Sequence, residues 1–266
     1  MKYLRILLRF LNRMSKDKIK IKTEAEIEVM AEGGRILGKI KKELMAAVVE
    51  GENAGNIEDL AVSLIKKRGG TASFKKVKGY SWATCVNVND GVVHGIPKKS
   101  IIFKKGDIVS VDVGLFYKGF HTDTSISCAI IANSETKAFL SAGKTALKNA
   151  IDAAREGSRI YDISEAMQAV IVKAGYSPIR ALVGHGIGRN LHEFPQIPCF
   201  VAGERKDSPK IRSGFVLAIE AMYAQGLPEV IIADDGWTIK TKDGKIAGLF
   251  EETVAVTNKG PIVLTN

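Results

Sequence analysis

From Thr23 onward, stretches with helical spacing of apolar residues give way to stretches that alternate like strands. Thr23-Glu24-Ala25-Glu26 has the form of a capping box, in which a hydroxyl and a carboxylate satisfy the free N–H groups of a helix start; it opens a long helix expected to reach about Val49. A second helix is expected from Asn56 as cap to a Gly69-Gly70 stop, followed by β-rich segments through residue 131. Ser134 reads as the cap of a helix over about 135–155 ended by Gly157, and Asp162 as the cap of a shorter one through Val170 and Val172 to Gly175. Strands return over 215–222, 230–233 and 249–256. The order helix, helix, strands therefore occurs twice, with little residue-level repetition between the halves. It predicts an α+β fold of two half-domains sharing one curved sheet, with helices on the outside. No Pro- or Gly-rich linker divides 23–266, which reads as one folded unit.

Within the first β-rich stretch, 107–116 and 120–131 both alternate, and Tyr117-Lys118-Gly119 reads as the turn of a hairpin. Pairing about a centre between 117 and 118 puts Asp112 opposite Asp123, where Cβ atoms stand roughly 4.5–5.5 Å apart. Two carboxylates that close repel unless a cation or a shared proton compensates. The pair therefore points to a metal site.

Composition adds two constraints. With 266 residues, 45% of them hydrophobic, the chain can bury a substantial core. Three cysteines, Cys85, Cys128 and Cys199, without Cys-x-x-Cys spacing fit a reducing compartment and exclude a disulfide framework or a four-cysteine zinc module. A cytoplasmic protein is expected. Of the net charge of +10, residues 1–22 hold +7 (eight Lys and Arg against Asp17), which leaves +3 for the rest. The basicity is thus mostly an N-terminal arm, residues 1–22. Arg5, Arg9 and Arg13 recur at i+4 with Leu4, Leu7, Leu8 and Leu11 opposite, as in a short basic amphipathic helix suited to a polyanionic or membrane surface. Its longest aliphatic run, Ile6-Leu7-Leu8, is too short for a secretory signal, and no later segment is long enough to span a membrane.

The second half adds Gly184-His185-Gly186-Ile187-Gly188, Ile219-Glu220-Ala221 and Phe250-Glu251-Glu252. Glu220 and Glu251 stand among residues of buried type, and carboxylates are almost never buried unpaired. Four carboxylates and one histidine form an oxygen-rich set suited to Mn, Fe or Co, and two divalent ions would balance the four charges while activating a water. Other readings fit less well. His192-Glu193-Phe194-Pro195-Gln196 begins like a zincin helix but lacks the second histidine, and Pro195 opposes a helix. Gly184-His185-Gly186-Ile187-Gly188-Arg189 has arginine where a dinucleotide fingerprint needs its last glycine. A mononuclear iron site from His94, His192 and one acid leaves the remaining carboxylates without a task.

These motifs, together with Ile21-Lys22-Thr23, Val93-His94-Gly95-Ile96-Pro97, His192-Glu193 and Asp235-Gly236-Trp237-Thr238, resemble those of type I methionine aminopeptidases over essentially residues 21–265. The resemblance implies the pita-bread fold shared with creatinase and proline-specific peptidases. It implies metal ligands at Asp112, Asp123, His185, Glu220 and Glu251, with Asp123 and Glu251 bridging two divalent ions (Fe, Mn or Co, with Zn as a further candidate). The reaction implied is removal of the initiator methionine ahead of a small second residue, by attack of a metal-bridging water or hydroxide on the first peptide carbonyl. His94 and His192 would contact substrate and stabilise the tetrahedral intermediate, and Glu220 would handle the proton of the water. Phe74, Val77, Tyr80, Cys85, Leu191 and Trp237 would form the methionine pocket, with Phe74, Val77 and Leu191 departing from common bacterial residues. His121 is left to packing or to support of the site.

Two further departures flank the last ligand: Leu249 stands where glutamine is usual and Glu252 where histidine is usual, so altered contacts there and at the usual monovalent-cation site are expected. Nascent polypeptide N-termini are the implied partners, with ribosome or membrane contact open for the arm and a monomer expected. The alternatives are a proline-specific dipeptidase of the same fold, whose relatives usually carry an additional N-terminal domain, and a non-catalytic peptide- or RNA-binding relative, in which ligands would be lost. The 35 positions from His185 to Glu220 leave no room for the insertion of type II enzymes, and only Cys85 precedes residue 128, against a zinc-finger extension.

Overall fold

The computed structural model describes residues 18–266; most of the basic arm, residues 1–17, lies outside the described residues. Thr23 caps helix α1 (Glu24–Ala47) as expected: its hydroxyl accepts from the Glu26 N–H, and the Glu26 carboxylate accepts from the Thr23 N–H at 3.0 Å. The other three α-helices among the described residues begin differently. Helix α2 (Ala54–Lys67) is capped by Asn53, not Asn56, because Asn53 Oδ1 accepts from the Asn56 N–H at 3.0 Å. Asn133, not Ser134, caps α3 (Ser134–Ala153), and α4 (Ile160–Lys173) begins after Arg159, with Asp162 accepting from the Arg159 N–H as the third helical residue. A cap bonds three residues ahead and a third-position acid bonds three residues back, so both positions favour small polar residues and look alike in sequence.

The strands in chain order are β1 (Thr71–Ala72), β2 (Thr84–Val88), β3 (Gly91–Val93), β4 (Ile108–Tyr117), β5 (Phe120–Ala129), β6 (Ser177–Pro178), β7 (Val183–Gly186), β8 (Glu193–Pro198), β9 (Val216–Ala224), β10 (Val230–Ile232), β11 (Ile239–Thr241), β12 (Ala247–Thr257) and β13 (Gly260–Val263). Ten of them form one antiparallel sheet whose main path runs β1-β4-β5-β12-β9-β7-β8, and β3, β10 and β11 form a second, small sheet. The halves join where β5 pairs with β12, Ser125 opposite Glu251 and Thr124 opposite Glu252.

Alternation assigns the faces. On β4, Val109, Val111, Val113 and Leu115 pack outward with Leu37, Ile40 and Leu44 of α1 and Ile57 and Ala61 of α2. In the second half, Leu217 and Ile219 of β9 share a core with Phe139 and Leu147 of α3 and Ile163 and Met167 of α4. A fully buried Leu, Ile or Phe of this kind contributes about 1.5–3 kcal/mol by leaving water, so helix packing on the outer face holds the sheet. The inner face is thereby free to carry polar residues.

The hairpin that bears the aspartates differs in register from the expectation. Its turn is Lys118-Gly119, with φ of 46° and 89°, the two positive values of a type I′ turn, which glycine adopts without strain. Pairing is therefore centred one residue-step later: Asp112 faces Ser125, and Asp123 faces Gly114. The two aspartates are diagonal neighbours on one face, a relation with a separation of roughly 7–8 Å, and are not directly opposite.

Candidate functional site

The register places the predicted ligands in two adjacent rows across the inner face. One row runs Asp112 (β4), Ser125 (β5), Glu251 (β12), Glu220 (β9). The next holds Asp123 opposite Gly114, with Thr253 beside it and Ala218 and His185 further along. Three acids in one row and an acid and an imidazole in the next converge because side chains two apart on a strand share a face. Asp123, His185 and Glu251, all buried, each offer a ligand atom, and these atoms lie within 4.8 Å of one another. Asp112 and Glu220, at the two ends of the first row, are half-buried.

The electrostatics of this cluster are adverse without a cation. Desolvation pushes the Asp112 carboxyl up to about 7, opposed by a hydrogen bond with Asp123. Burial first, then the charges of Asp112 and Glu220, raise Asp123 well above the usual carboxylate range. Burial and Asp112 do the same to Glu220, and burial with Asp123, Glu220 and Asp112 to Glu251. Two buried polar atoms in the first row, Asp112 Oδ1 and Ser125 Oγ, have no hydrogen-bond partner. Buried polar groups are otherwise satisfied almost without exception, so these residues fit divalent cations: hard oxygen donors, one imidazole, and lone pairs facing one another.

Two histidines border the cluster. The His192 ring lies against that of His185, centroids 4.5 Å apart. His94 sits just beyond β3 at φ 58°, the left-handed region that a side chain adopts at a cost of roughly 1–2 kcal/mol, and its Nδ1 is buried without a partner. Burial lowers His94 and His185 to about 4, and burial with the neighbouring histidines takes His192 well below the ordinary value. All three are neutral imidazoles at pH 7. His121, the fourth, binds Ser73 Oγ through Nδ1 at 2.9 Å and packs on Phe116, outside the ligand set.

Known proteins resemble this chain over most of its length. The model of metallopeptidase family M24 matches residues 28–258. This chain belongs to that family. It is 38% identical over 254 residues to the methionine aminopeptidase of Aquifex aeolicus, covering 93% of this chain and 98% of that protein. The crystal structure of methionine aminopeptidase from Thermotoga maritima superposes with a TM-score of 0.90 at 38% identity, covering 94% of this chain and all of that one. The prolidase of Pyrococcus furiosus shares the pita-bread fold, with a TM-score of 0.73 at 22% identity, and this chain spans 65% of its length.

In this M24 chain the six expected pocket residues share one apolar cluster beside the rows: Phe74, Tyr80, Cys85 and Leu191 are buried and Val77 and Trp237 half-buried. Tyr80 meets Trp237 edge-on at 5.1 Å, and its hydroxyl donates to the Thr84 carbonyl. Gly114 permits the approach of this wall, since a Cβ there would stand 2.7 Å from Ser73 Cβ and 2.9 Å from Phe74. Segment 193–198 is strand β8, which removes the zincin-helix reading. Glu252, one residue after the last ligand, points to the outer face and accepts from Lys41 Nζ at 2.5 Å, Thr124 Oγ1 at 3.1 Å and Thr265 Oγ1 at 2.5 Å. Sequence reasoning overlooked Ser125 as a member of the polar row; its signal was the two-residue step from Asp123.

Proposed function

We propose that this chain is a methionyl aminopeptidase that removes the initiator methionine from new proteins with a small second residue. The observation that carries the reading is the conjunction of two rows holding mutually repelling carboxylates with an apolar cluster at their border. Asp112, Asp123, His185, Glu220 and Glu251 would hold two divalent ions, drawn from Fe, Mn, Co or Zn. Such ions supply Lewis acidity toward the scissile carbonyl and lower the pKa of a water to the neutral range.

The protein's own groups do the rest. The Phe74–Trp237 wall takes an unbranched thioether, whose sulfur packs well on aromatic edges, and so orients the first peptide bond. His94 and His192, neutral at pH 7, donate N–H bonds to the oxygen that gains negative charge, a role for which pre-placed donors are effective. Glu220, opposite Glu251 in the inner row, would as a carboxylate accept a proton from the attacking water and return it to the leaving amine.

The test is hydrolysis of Met-Gly-, Met-Lys- and Ala-Pro-led peptides by metal-stripped protein after anaerobic addition of Fe, Mn, Co or Zn. Cleavage of the Met-Gly peptide alone is the expected result. Cleavage of Ala-Pro would establish the proline-specific alternative, and no cleavage with any metal a binding protein.

The finer partner assignment is a cytoplasmic monomer acting on nascent N-termini, with the basic arm drawn to a polyanionic surface. Counterion release from phosphate would make ribosome binding salt-sensitive, whereas Leu4, Leu7, Leu8 and Phe10 would add an apolar term at an anionic membrane. Among the described residues no helix is long and apolar enough to cross one. Co-sedimentation with ribosomes and with anionic vesicles, at low and moderate salt, separates these cases, and recovery equal to that of protein lacking residues 1–17 refutes both.

A further inference from the structure

Between β7 and β8, residues 187–192 form no helix or strand, yet they carry His192 and Leu191. What holds this loop comes from the start of the chain. Lys22 is 7% exposed and places Nζ 2.7 Å from Glu193 Oε2, and Glu193 is 4% exposed. The other carboxylate oxygen accepts from the Asn190 N–H at 3.0 Å. One buried carboxylate thus ties Lys22 to both ends of the 190–193 turn, with His192 between them.

The lysine is itself anchored, since its N–H donates to the Gly214 carbonyl at 2.8 Å. Gly188 leaves it room: a Cβ there would stand 2.4 Å from Lys22 Cε. Lys20 Nζ lies 3.8 Å from Glu193 but is half-exposed and adds little. A second tie joins Arg189 to Glu26 at 2.9 Å, from the turn that caps α1; Arg189 is largely exposed, so this contact guides more than it stabilises. Buried ion pairs contribute little net stability because desolvation opposes the attraction, and their better-attested effect is to select one geometry. Nothing in the ligand rows or the apolar pocket requires a buried ion pair here.

We propose that Lys22 is a positioning residue for His192: through Glu193 it holds the 190–193 turn so that the imidazole is presented to the substrate carbonyl. The inference rests on the reading of His192 as a donor to substrate. It takes one charge of the basic arm out of any polyanion-binding role and assigns it to the site.

The test is a double-mutant cycle in the full chain. K22M alone leaves the buried Glu193 carboxylate without its buried cation, so the primary variant is K22M/E193Q, in which neither side chain is charged. It is made in the parent and in H192A, loaded with metal, and assayed on a Met-Gly-led peptide; the metal-free proteins are compared by imidazole NMR. K22M/E193Q is expected to lower kcat by about 10²-fold, the scale of a small misplacement of a catalytic group, with KM and metal content little changed. In H192A the same substitutions should cost nothing further, because their effect passes through the missing ring. The His192 resonances should shift while those of His94 stay. Equal losses in both backgrounds, or an undisturbed His192 resonance, overturn the proposal. Parental activity of H192A with a shifted His192 resonance in K22M/E193Q would instead refute the catalytic reading of His192 and uphold the positioning by Lys22.

Discussion

Glu251 and Glu252 are neighbours on β12 and meet opposite fates. The inner residue faces Ser125 and Glu220 in a row of like charges, and its carboxyl is raised by burial and by three acids of the cluster. The outer residue is fully served, by the Lys41 ammonium from α1 and the hydroxyls of Thr124 and Thr265. Glu58 repeats the outer pattern, accepting from the Ala83 and Thr84 N–H groups and the Thr84 hydroxyl. The fold can therefore satisfy buried carboxylates with its own donors. On the inner face it places them against one another, which is sensible only where a cation completes the site.

Substitution should separate the faces most sharply. Asp123→Asn and Glu251→Gln are expected to remove metal binding and lower activity by about 10³-fold or more, since several kcal/mol of charge stabilisation go with the ions. The metal-free fold should become more stable in both, because a charge that the protein does not neutralise is gone. Glu252→Gln should do the reverse: metal content and low-temperature activity unchanged, but stability lower by about 3 kcal/mol, as Lys41 is left buried without its partner. Elemental analysis and chelated thermal melts decide the matter. Normal metal content in Glu251→Gln, or lost metal in Glu252→Gln, breaks the contrast.

The bordering histidines should show a smaller effect of a different kind. His94→Ala and His192→Ala are expected to keep metal and fold while turnover falls by about 10²–10³-fold, the usual loss for one positioned donor. The strained backbone at His94 makes His94→Gly a useful companion, since glycine relieves the φ cost but cannot restore the N–H. If either alanine variant turns over at the parental rate, that ring is structural.

How much of this was legible beforehand follows from the range of each interaction. Alternation put Asp112 and Asp123 on one face even though the hairpin register was off, because a shift of the centre by one whole residue moves the partner by two and preserves the face. Helix starts were misplaced at α2 and α4, where two polar residues three apart compete for the cap, and by one residue at α3, where Asn133 and Ser134 are both capping types. The proposed ligands span residues 112 to 251 in five strands of two halves, and only the motif resemblance could join them. The ion pair between Lys22 and Glu193 was hidden, since a lysine in a basic run reads as solvated charge until the chain brings a carboxylate 171 positions away against it. Glu252 read as a disturbance of the last ligand, and alternation alone would have sent it to the opposite face.

The smallest expected effect is also the finest probe of the inner face. In metal-free protein the folded Asp112 carboxyl titrates near 7, against 3.8 for the ordinary group. A raised folded pKa means that the native state takes up protons before the unfolded chain does, so native stability rises as pH falls through that value. Between pH 8 and 6.5 Asp112 alone should add about 1 kcal/mol, or about 2 °C in Tm for a chain of this size. Below 6.5 the trend should weaken, because His94, His121 and His185 are held near 4 by burial and unfolded histidines begin to bind protons first, which favours the unfolded state. Thermal melts in chelator at pH 8, 7.25 and 6.5 read this directly. Asp112→Asn should lessen the rise, to which Asp123, Glu220 and Glu251 also contribute, and Glu252→Gln should leave it intact, whereas a Tm that falls from pH 8 to 6.5 in the parent would mean that the inner carboxylates are compensated by the protein and that the contrast between the two faces does not hold.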